Sequence, residues 1–342
     1  MKAWRDRGRG RDDETLAAIE AAGIDLDPPP PRGHEHDDDL PHDHDHPHQH
    51  STPGEPPLIG IVGAGAVGTA LGVALTRAGW PITAVASRDA VRRERFRELV
   101  GGTRAFVEIT PLLDEVELIV LAVPDDAIRS VAEGIRLYSG QALIHTSGAL
   151  GAEVLEPAMA AGTQIGSFHP LVAFADIERA VEALHGATVA VEGDDQLVAL
   201  LADMARAIGA DAVRLAPGTK AAYHAAAVLA AGGFVALLDA IAELGRVAGL
   251  DEAGSLAIYG PLIEQTLGNA RALGIRAALT GPLTRGDVGT LERHLATLAA
   301  DAPDVLPLYR AAAEREIALA EARGALTPDV SGRLRTALAN TL

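Results

Sequence analysis

Four side chains of the kinds that transfer protons stand at spacings that could bring them together. Lys220 and His224 are four residues apart, so they share one face if their segment is helical. His169 and Ser147 each follow a short apolar run of the length of a buried strand. A lysine in a partly dry cleft can protonate a carbonyl oxygen, an imidazole can exchange a proton with an alcohol, and a serine can hydrogen-bond the same oxygen. These four residues are the predicted catalytic groups.

Each candidate also has a purely structural interpretation. Lys220 could be a surface residue near a helix N-terminus, and His224 could bond a backbone carbonyl. The Ser147-Gly148 and His169-Pro170 pairs are also ordinary loop formers. The sequence leaves open which of Lys220 and His169 would be the principal acid or base.

A glycine-rich loop follows the first apolar run, Leu58–Val62, and opens a segment with helical spacing. Its G-x-G-x-x-G pattern in this context is typical of a dinucleotide site. Gly63 makes the tight turn, Gly65 lets the backbone approach a pyrophosphate, and Gly68 lets the helix pack on the strand. The predicted cofactor-binding loop comprises Gly63, Ala64, Gly65, Ala66, Val67 and Gly68.

The end of the second apolar run indicates which dinucleotide binds. An acidic residue there would hydrogen-bond the ribose of NAD, but the chain reads Ser87-Arg88. A hydroxyl followed by a planar, permanently charged guanidinium suits a 2′-phosphate, so NADP is favoured over NAD. Arg88 could alternatively just begin the basic helix that follows. The run Leu118–Val123 should also end beside the cofactor, which adds Val123 and Pro124 to the predicted site.

These motifs require an α/β fold. Short apolar strands alternating with helices predict a mostly parallel sheet that is covered on both faces. Later strand candidates are Leu118–Val123, Ala142–Thr146, Gln164–Phe168, Thr188–Val191 and Ala212–Leu215. Five helices are predicted after Pro217, at Lys220–Ala248, Asp251–Leu273, Asp287–Ala299, Pro303–Arg323 and Thr327–Leu338. The predicted domains are a tail at 1–57, a Rossmann domain at 58–216 and an all-α C-terminal domain at 217–342.

Composition excludes several classes of protein. The net charge of −18 argues against binding to nucleic acid or anionic membranes, since both need clustered Lys and Arg. The absence of cysteine excludes disulfides, thiolate metal sites and cysteine nucleophiles. The N-terminus lacks a signal-peptide core, and charged or polar residues interrupt the most apolar stretch, Ala221–Ile241. A cytoplasmic protein is predicted.

The N-terminal tail is rich in Pro, Asp and His. It carries 14 acidic and 6 basic residues and seven of the twelve histidines, with little to bury, so disorder is expected. Imidazoles alternating with carboxylates can bind Zn or Ni loosely. A solvated tail with incidental metal affinity is the simpler interpretation, and no metal-catalysis cluster is predicted in the folded part.

The order of these motifs resembles the Rossmann-like proteins that carry a C-terminal domain of unknown function, number 2520. The resemblance covers residues 58–342. It is carried by Gly63–Gly68, Ser87-Arg88, Ala122-Val-Pro124, His145-Thr-Ser-Gly148, Ser167-Phe-His-Pro170, Lys220-x-x-x-His224 and Thr280-Gly-Pro-Leu-Thr-Arg-Gly-Asp287.

More distantly, the chain is similar to the β-hydroxyacid dehydrogenases, pyrroline-5-carboxylate reductases, ketopantoate reductases and prephenate dehydrogenases. Lys220 matches the lysine of the first group's Lys-x-x-x-Asn motif, although His224 stands where its Asn would be. Gly166–Pro170 is close to the Gly-x-His-Pro segment of prephenate dehydrogenases but is one residue longer. The resemblance implies a Rossmann domain with a helical, often dimerising, domain.

The sequence thus predicts an NADP-dependent dehydrogenase or reductase that forms a homodimer. Its substrate would be a small hydroxy, keto or imino acid, with Arg285 binding the carboxylate in a bidentate fashion. Asp287 is the expected N-cap of the following helix. Two alternatives stay open: a catalytically silent NAD(P)-binding sensor or scaffold, and a metal-handling protein that acts through the histidine-rich tail.

Overall fold

The computed structural model describes residues 55–340. The predictions of tail disorder and of metal binding by the tail therefore lie almost wholly outside the described residues. The chain divides into two compact units, with the division between Val228 and Leu229. The predicted boundary, between residues 216 and 217, falls earlier. It assigned the helix that begins at Lys220 to the C-terminal domain, whereas Lys220 bonds to strands of the first unit.

The first unit is an eight-stranded sheet with helices. Its strands are β1 Ile59–Val62, β2 Ile82–Ala86, β3 Arg104–Phe106, β4 Leu118–Leu121, β5 Ala142–His145, β6 Gln164–Pro170, β7 Thr188–Glu192 and β8 Asp211–Arg214. Its helices are α1 Ala66–Arg77, α2 Ala90–Val100, α3 Thr110–Leu113, α4 Asp125–Gly134, α5 Ile177–Leu184, α6 Asp195–Ala207 and α7 Lys220–Val228. A 3₁₀ segment, Ala152–Ala158, lies between β5 and β6.

The strand order is β3-β2-β1-β4-β5-β6-β7-β8. Strands β1 to β6 run parallel in the doubly wound order of dinucleotide-binding sheets, whereas β7 is antiparallel to β6 and parallel to β8. The predicted fold class, a mostly parallel Rossmann sheet, is confirmed.

Successive side chains of the central strands point to opposite faces of the sheet, and both faces are buried. All residues of β1, β4 and β5 are buried. Ile61 and Val120 belong to one hydrophobic cluster, whereas Val62 and Leu121 belong to a second cluster on the opposite face. Continuous apolar runs are what a parallel sheet with helices on both sides requires.

Two features of the sheet were not predicted. Strand β3 was missed because its three residues, Arg104–Phe106, are partly exposed and too few to show a period. The reversal at β7 was missed because direction leaves no mark on a short apolar run. The other seven strands lie at or within two residues of their predicted ends.

The second unit is helical, as predicted. Its helices are α8 Phe234–Val247, α9 Glu252–Leu273, α10 Ile275–Ala278, α11 Val288–Asp301, α12 Leu306–Ala322 and α13 Pro328–Ala339. A π-helical turn, Leu229–Gly233, precedes α8, and a 3₁₀ turn, Leu283–Arg285, precedes α11. The main core of this unit joins α11, α12 and α13 through residues such as Leu291, Ile317 and Leu334.

Large apolar side chains of α8 and α9 are exposed. Val235 is 63% exposed and Leu262 58%, Leu273 at the end of α9 is 64% exposed, and Leu229 in the π-helical turn before α8 is 72% exposed. Within residues 55–340, the helical stretch Lys220–Val247 is the one that is long and apolar enough to cross a membrane by length and composition alone. That criterion is also met by helices of soluble proteins, so this finding is weak evidence for a membrane span.

Candidate active site

The loop after β1 has the geometry that a phosphate cradle needs. Gly63 adopts φ of 104°, and a Cβ there would lie less than 3.0 Å from the carbonyl oxygen of Ala122. A Cβ at Gly68 would lie less than 3.0 Å from the carbonyl oxygen of Gly63. A Cβ at Gly65, by contrast, meets no atom of residues 55–340 within 4 Å. Only Gly65 therefore borders open space, while Gly63 and Gly68 are required by close packing.

The N-terminus of α1 faces that open space. Gly65 is its N-cap, and no side chain caps the helix. The carbonyl of Gly65 accepts a hydrogen bond from Thr69, and the buried Ala64 accepts one from the Thr69 hydroxyl at 3.4 Å. The backbone N–H groups at Ala66 and Val67 belong to the first turn, where a helix has no internal acceptors for them. These groups and the positive end of the helix dipole suit an anion such as a pyrophosphate.

Strand pairing brings the chemically active residues to one edge of the sheet. One row of paired Cα atoms runs from Ala86 through Val62, Leu121 and His145 to Ser167. The residues that follow these strands therefore meet at the same edge, which is where ligands bind in open parallel sheets. The sequence pattern predicted where each strand ends, and the pairing register places those ends side by side.

Basic side chains cluster at the end of β2. Ser87 is buried, and its carbonyl accepts a hydrogen bond from the guanidinium of Arg93. Asp89, the nearest acidic residue, is the N-cap of α2: its carboxylate accepts from the backbone N–H groups of Val91 and Arg92 at 3.0 Å. The half-buried Arg88 lies between Ser87 and this cap. The end of β2 thus offers a hydroxyl and a guanidinium, while the Asp89 carboxylate caps α2 and pairs with Arg92.

A cavity of about 500 Å³ lies at this edge of the sheet. Its lining comes from the glycine loop, the ends of β4 and β5, β6 and α7. The lining residues are Gly65, Ala66, Val67, Ala122, Val123, Pro124, Asp125, Thr146, Ser147, Gly148, His169, Pro170, Val172, Phe174 and His224. The cavity thus unites the glycine loop with Val123, Pro124 and three of the four predicted catalytic groups.

His169 and His224 form a pair on the cavity wall. Their ring centroids are 5.7 Å apart and the rings are nearly perpendicular. A Cβ built on Gly148 would lie less than 3.0 Å from both His224 Nδ1 and His169 Nε2, so only glycine fits between β5 and the two rings. Burial, then the charge of Lys220 and then His224, lowers the pKa of His169 to about 4. His169 is therefore neutral at pH 7.

Three buried polar atoms beside the cavity have no hydrogen-bond partner within residues 55–340. They are His169 Nδ1, His224 Nδ1 and the Tyr223 hydroxyl. The Tyr223 ring also meets the His169 ring edge-on at 5.7 Å, and burial raises the pKa of Tyr223. Tyr223 was not among the predicted site residues, although it stands next to His224 in the predicted helix.

Ser147 lines the cavity but its oxygen already stabilises a turn. Ser147 Oγ accepts hydrogen bonds from the backbone N–H groups of Ala149 and Leu150, both at 3.1 Å. This is the loop chemistry that was weighed against a catalytic role. The hydroxyl proton can still be donated to a group in the cavity.

His145, left out of the predicted site, lies fully buried beneath that turn. Its Nδ1 accepts a hydrogen bond from Ser147 N–H at 3.2 Å, and its Nε2 lies 3.2 Å from the Gly151 carbonyl oxygen. This pattern fits the neutral tautomer with the proton on Nε2. Burial first, and the Lys220 charge second, lowers the pKa of His145 to about 4. His145 fixes the turn that carries Ser147 and Gly148.

Lys220 is the one predicted catalytic residue that does not line the cavity. Its side chain is only 3% exposed. Lys220 Nζ donates to Ser167 Oγ at 2.6 Å and to Glu192 Oε2 at 3.0 Å, and Ser167 Oγ donates to the same oxygen at 2.8 Å. Burial lowers the pKa of Lys220, and the bond to Glu192 opposes that shift.

Ser167 and Glu192, which complete this buried triad, were not among the predicted site residues. Ser167 carried a signal, because it stands two residues before His169 and so shares its face of the strand. Glu192 carried none, because a glutamate at a strand end resembles any surface residue.

Arg285 lies in the second unit and is exposed. It ends a 3₁₀ turn at which Gly286 adopts a left-handed φ of 71°. Asp287 accepts hydrogen bonds from the Thr290 backbone N–H at 2.9 Å and from the Thr290 hydroxyl at 2.7 Å. The predicted role of Asp287 as the N-cap of the following helix is confirmed.

Comparison with known folds shows a shared architecture. A proposed NADP oxidoreductase, BF3122 of Bacteroides fragilis, is 23% identical with a TM-score of 0.65 over 77% of this chain and 98% of its own. The protein TM1727 of Thermotoga maritima is 25% identical with a TM-score of 0.53 over 82% and 98%. The reductive aminase of Aspergillus terreus, solved with NADPH and ethyl levulinate, is 20% identical with a TM-score of 0.59 over 82% and 99%. These likenesses show the fold.

Family models cover both parts of the chain. No curated protein matches the sequence. A Rossmann-like domain matches residues 47–170, and a domain of unknown function, DUF2520, matches residues 187–316. Each part of the chain therefore has its own family match, first to the Rossmann-like domain and then to DUF2520.

Proposed function

We propose that this protein is a cytoplasmic NADP-dependent dehydrogenase or reductase of a small hydroxy, keto or imino acid. One observation carries the proposal: a single cavity joins an uncapped helix N-terminus at Gly65 to a pair of histidines, His169 and His224. The first feature suits a pyrophosphate and the second suits proton exchange with a substrate.

The residues present fit the cofactor. The open space at Gly65 admits a pyrophosphate against the backbone, and Val123 and Pro124 form the neighbouring wall. Ser87 and Arg88 supply a hydroxyl and a guanidinium at the end of β2, and the nearest carboxylate, Asp89, is committed to capping α2. This arrangement favours a 2′-phosphate over a free ribose hydroxyl. When bound, the nicotinamide would supply or accept the hydride.

The chain's own part in the reaction is to bind substrate and exchange a proton. His169, neutral at pH 7, can accept a proton from an alcohol or donate a hydrogen bond to a carbonyl or imine. His224 faces the same point above Gly148 and can share or relay that proton. The Ser147 hydroxyl, whose lone pairs are engaged by backbone N–H groups, can donate to the substrate oxygen.

The substrate carboxylate needs a cationic partner from outside this cavity. No arginine or lysine of residues 55–340 lines the cavity. Arg285 of the second unit, whose guanidinium is exposed and can bind bidentately, stays the proposed partner of that carboxylate. An Arg285→Ala variant should raise KM for an acid substrate at least tenfold with little change for its amide analogue.

We further propose that the protein is a homodimer through α8 and α9. Exposed Val235, Ile258, Leu262 and Leu267 give these helices apolar surface that a soluble chain must cover. A second copy offers the same surface, and closed pairs of this kind are the commonest oligomers. Light scattering should give twice the chain mass of 35.4 kDa, and Leu262→Glu should give the monomer. A wild-type monomer would refute the dimer.

Fluorescence titration with NADPH and NADH tests the cofactor assignment. Wild-type protein should bind NADPH more tightly than NADH. Arg88→Ala should lose about tenfold to hundredfold in NADPH affinity, the contribution of one charge-assisted bond, with little effect on NADH. Arg92→Ala is the matched control, because that side chain is exposed and paired with Asp89. Micromolar binding of neither nucleotide would refute the proposal, and binding without turnover of any keto or imino acid would favour a silent sensor.

A further inference from the structure

The buried triad of Lys220, Ser167 and Glu192 joins three elements of the first unit. Ser167 and Glu192 face each other across the antiparallel pair β6 and β7, and Lys220 is the first residue of α7. Lys220 Nζ, Ser167 Oγ and Glu192 Oε2 form a closed set of three hydrogen bonds between 2.6 and 3.0 Å. The first turn of α7 is thereby bonded to both strands.

The distance between the triad and the histidine pair is nearly the same along β6 as along α7. Ser167 and His169 are two residues apart on β6, which is about 6.6 Å along a strand. Lys220 and His224 are four residues apart on α7, which is about 6.0 Å along a helix. Both pairs lie on the facing sides of their elements, so the Lys220–Ser167 bond sets the register that brings His224 to His169.

The contacts of Lys220 indicate a structural role. Lys220 does not line the cavity, and two of its three ammonium protons are donated to Ser167 and Glu192. An ion pair buried in this way serves to fix geometry, because a charge left without its partner in the interior is costly.

We propose that Lys220 is a positioning residue: with Glu192 and Ser167 it holds α7 on β6 and so places His224 opposite His169. This inference rests on the proposed function only in its kinetic consequences. It departs from the sequence-based assignment of Lys220 as an acid or base. It also assigns roles to Ser167 and Glu192, which the sequence did not single out.

The test compares Lys220→Met, Glu192→Gln and the double variant by nuclear magnetic resonance of the histidine rings. Each single variant should shift the ring signals of His169 and His224, because α7 loses its attachment. The double variant replaces the ion pair by neutral groups of similar size and should return those signals toward wild type. Glu153→Gln is the control, since Glu153 acts on Lys220 through its charge alone and should leave the ring signals in place.

Kinetics separate positioning from proton donation. Each single variant should lose about tenfold to hundredfold in kcat, as expected for a misplaced group, while NADPH affinity changes little. The double variant should recover most of that loss. If the double variant is as inactive as Lys220→Met while Glu192→Gln is fully active, Lys220 donates the proton and the positioning role is wrong. Unmoved ring signals in folded Lys220→Met would also overturn it.

Failure of the proposed function is distinguishable from failure of this inference. A wild-type protein that neither binds NADPH nor transfers hydride refutes the function. The ring signals, and the stability of the double variant relative to the single variants, still decide whether the triad positions α7. A single variant that does not fold while the double variant folds supports the triad, and a double variant less stable than both singles contradicts it.

Discussion

An alanine at Gly65 should weaken cofactor binding and leave the fold intact. The backbone at Gly65 has φ of −78°, which any residue adopts, and a Cβ there meets no atom of residues 55–340 within 4 Å. The stability cost should be small, about 1 kcal/mol, because the expected loss is only that alanine is a poorer N-cap than glycine. The methyl group would occupy the space proposed for the pyrophosphate. NADPH affinity should therefore fall at least tenfold, about 1.4 kcal/mol or more.

An alanine at Gly68 is the matched control, because it should have the opposite effect. Its Cβ would lie less than 3.0 Å from the carbonyl oxygen of Gly63 and 3.1 Å from Ala122 Cβ. The first obstacle is backbone and cannot rotate away. Overpacking of this kind costs about 1–3 kcal/mol, and the affected contact is the one that seats α1 on β1. We expect Gly68→Ala to lower the free energy of unfolding by at least that amount.

Two measurements on each variant decide between these effects. Urea denaturation followed by circular dichroism gives the free energy of unfolding, and NADPH fluorescence gives the affinity. Wild-type affinity in Gly65→Ala would mean that no phosphate lies against this loop. Equal destabilisation of both variants would mean that Gly65 is needed for packing, so that its loss of binding reflects unfolding.

Buried groups beside the cavity give three further expected outcomes. His145 and His169, whose pKa values are lowered to about 4 mainly by burial, stay neutral in the fold at pH values where the unfolded chain takes up protons. The free energy of unfolding should therefore fall by up to about 3 kcal/mol for each histidine as pH drops from about 6.5 to about 4; urea titrations across this range check it, and a flat profile in that window would exclude it. Gly148→Ala should lower kcat at least tenfold without changing NADPH affinity, since the methyl displaces His224; unchanged turnover would show that the ring's placement is irrelevant. Lys220→Met should destabilise the fold by about 3–5 kcal/mol and the Lys220→Met/Glu192→Gln pair by much less, as thermal and urea unfolding can measure, with additive losses as the contrary result.

The fold was largely readable from the sequence. Apolar runs of four or five residues, such as Leu118–Leu121, marked buried strands because both faces of a parallel sheet need hydrophobic residues. Glycines marked the loop after β1 because only they tolerate the φ of Gly63 and the close approach at Gly68. Strand β3 and the reversed direction of β7 could not be predicted, because three partly exposed residues and a strand's direction leave no periodic signal.

The candidate site, like the fold, was predicted only in part from the sequence. Local patterns identified His169, Ser147 and the glycine loop, and the structure places the two side chains and the Gly65–Val67 part of the loop in one cavity. The same patterns placed Lys220 among the catalytic residues, and the structure buries it in an ion pair away from the cavity lining. Helical spacing showed that Lys220 and His224 share a face, but not what that face meets.

The sequence by itself determined most of the strand and helix order, the glycine loop proposed to bind phosphate and the residues able to exchange protons. Each of these depends on residue type and short-range spacing along one element. Only the tertiary structure decided that Glu192, His145 and Tyr223 belong beside the site, and that Lys220 bonds to Ser167, its partner 53 residues away. Those contacts depend on the register between strands and on which helix face meets the sheet. Because register and docking are set by the packing of the whole unit, no short stretch of sequence records them.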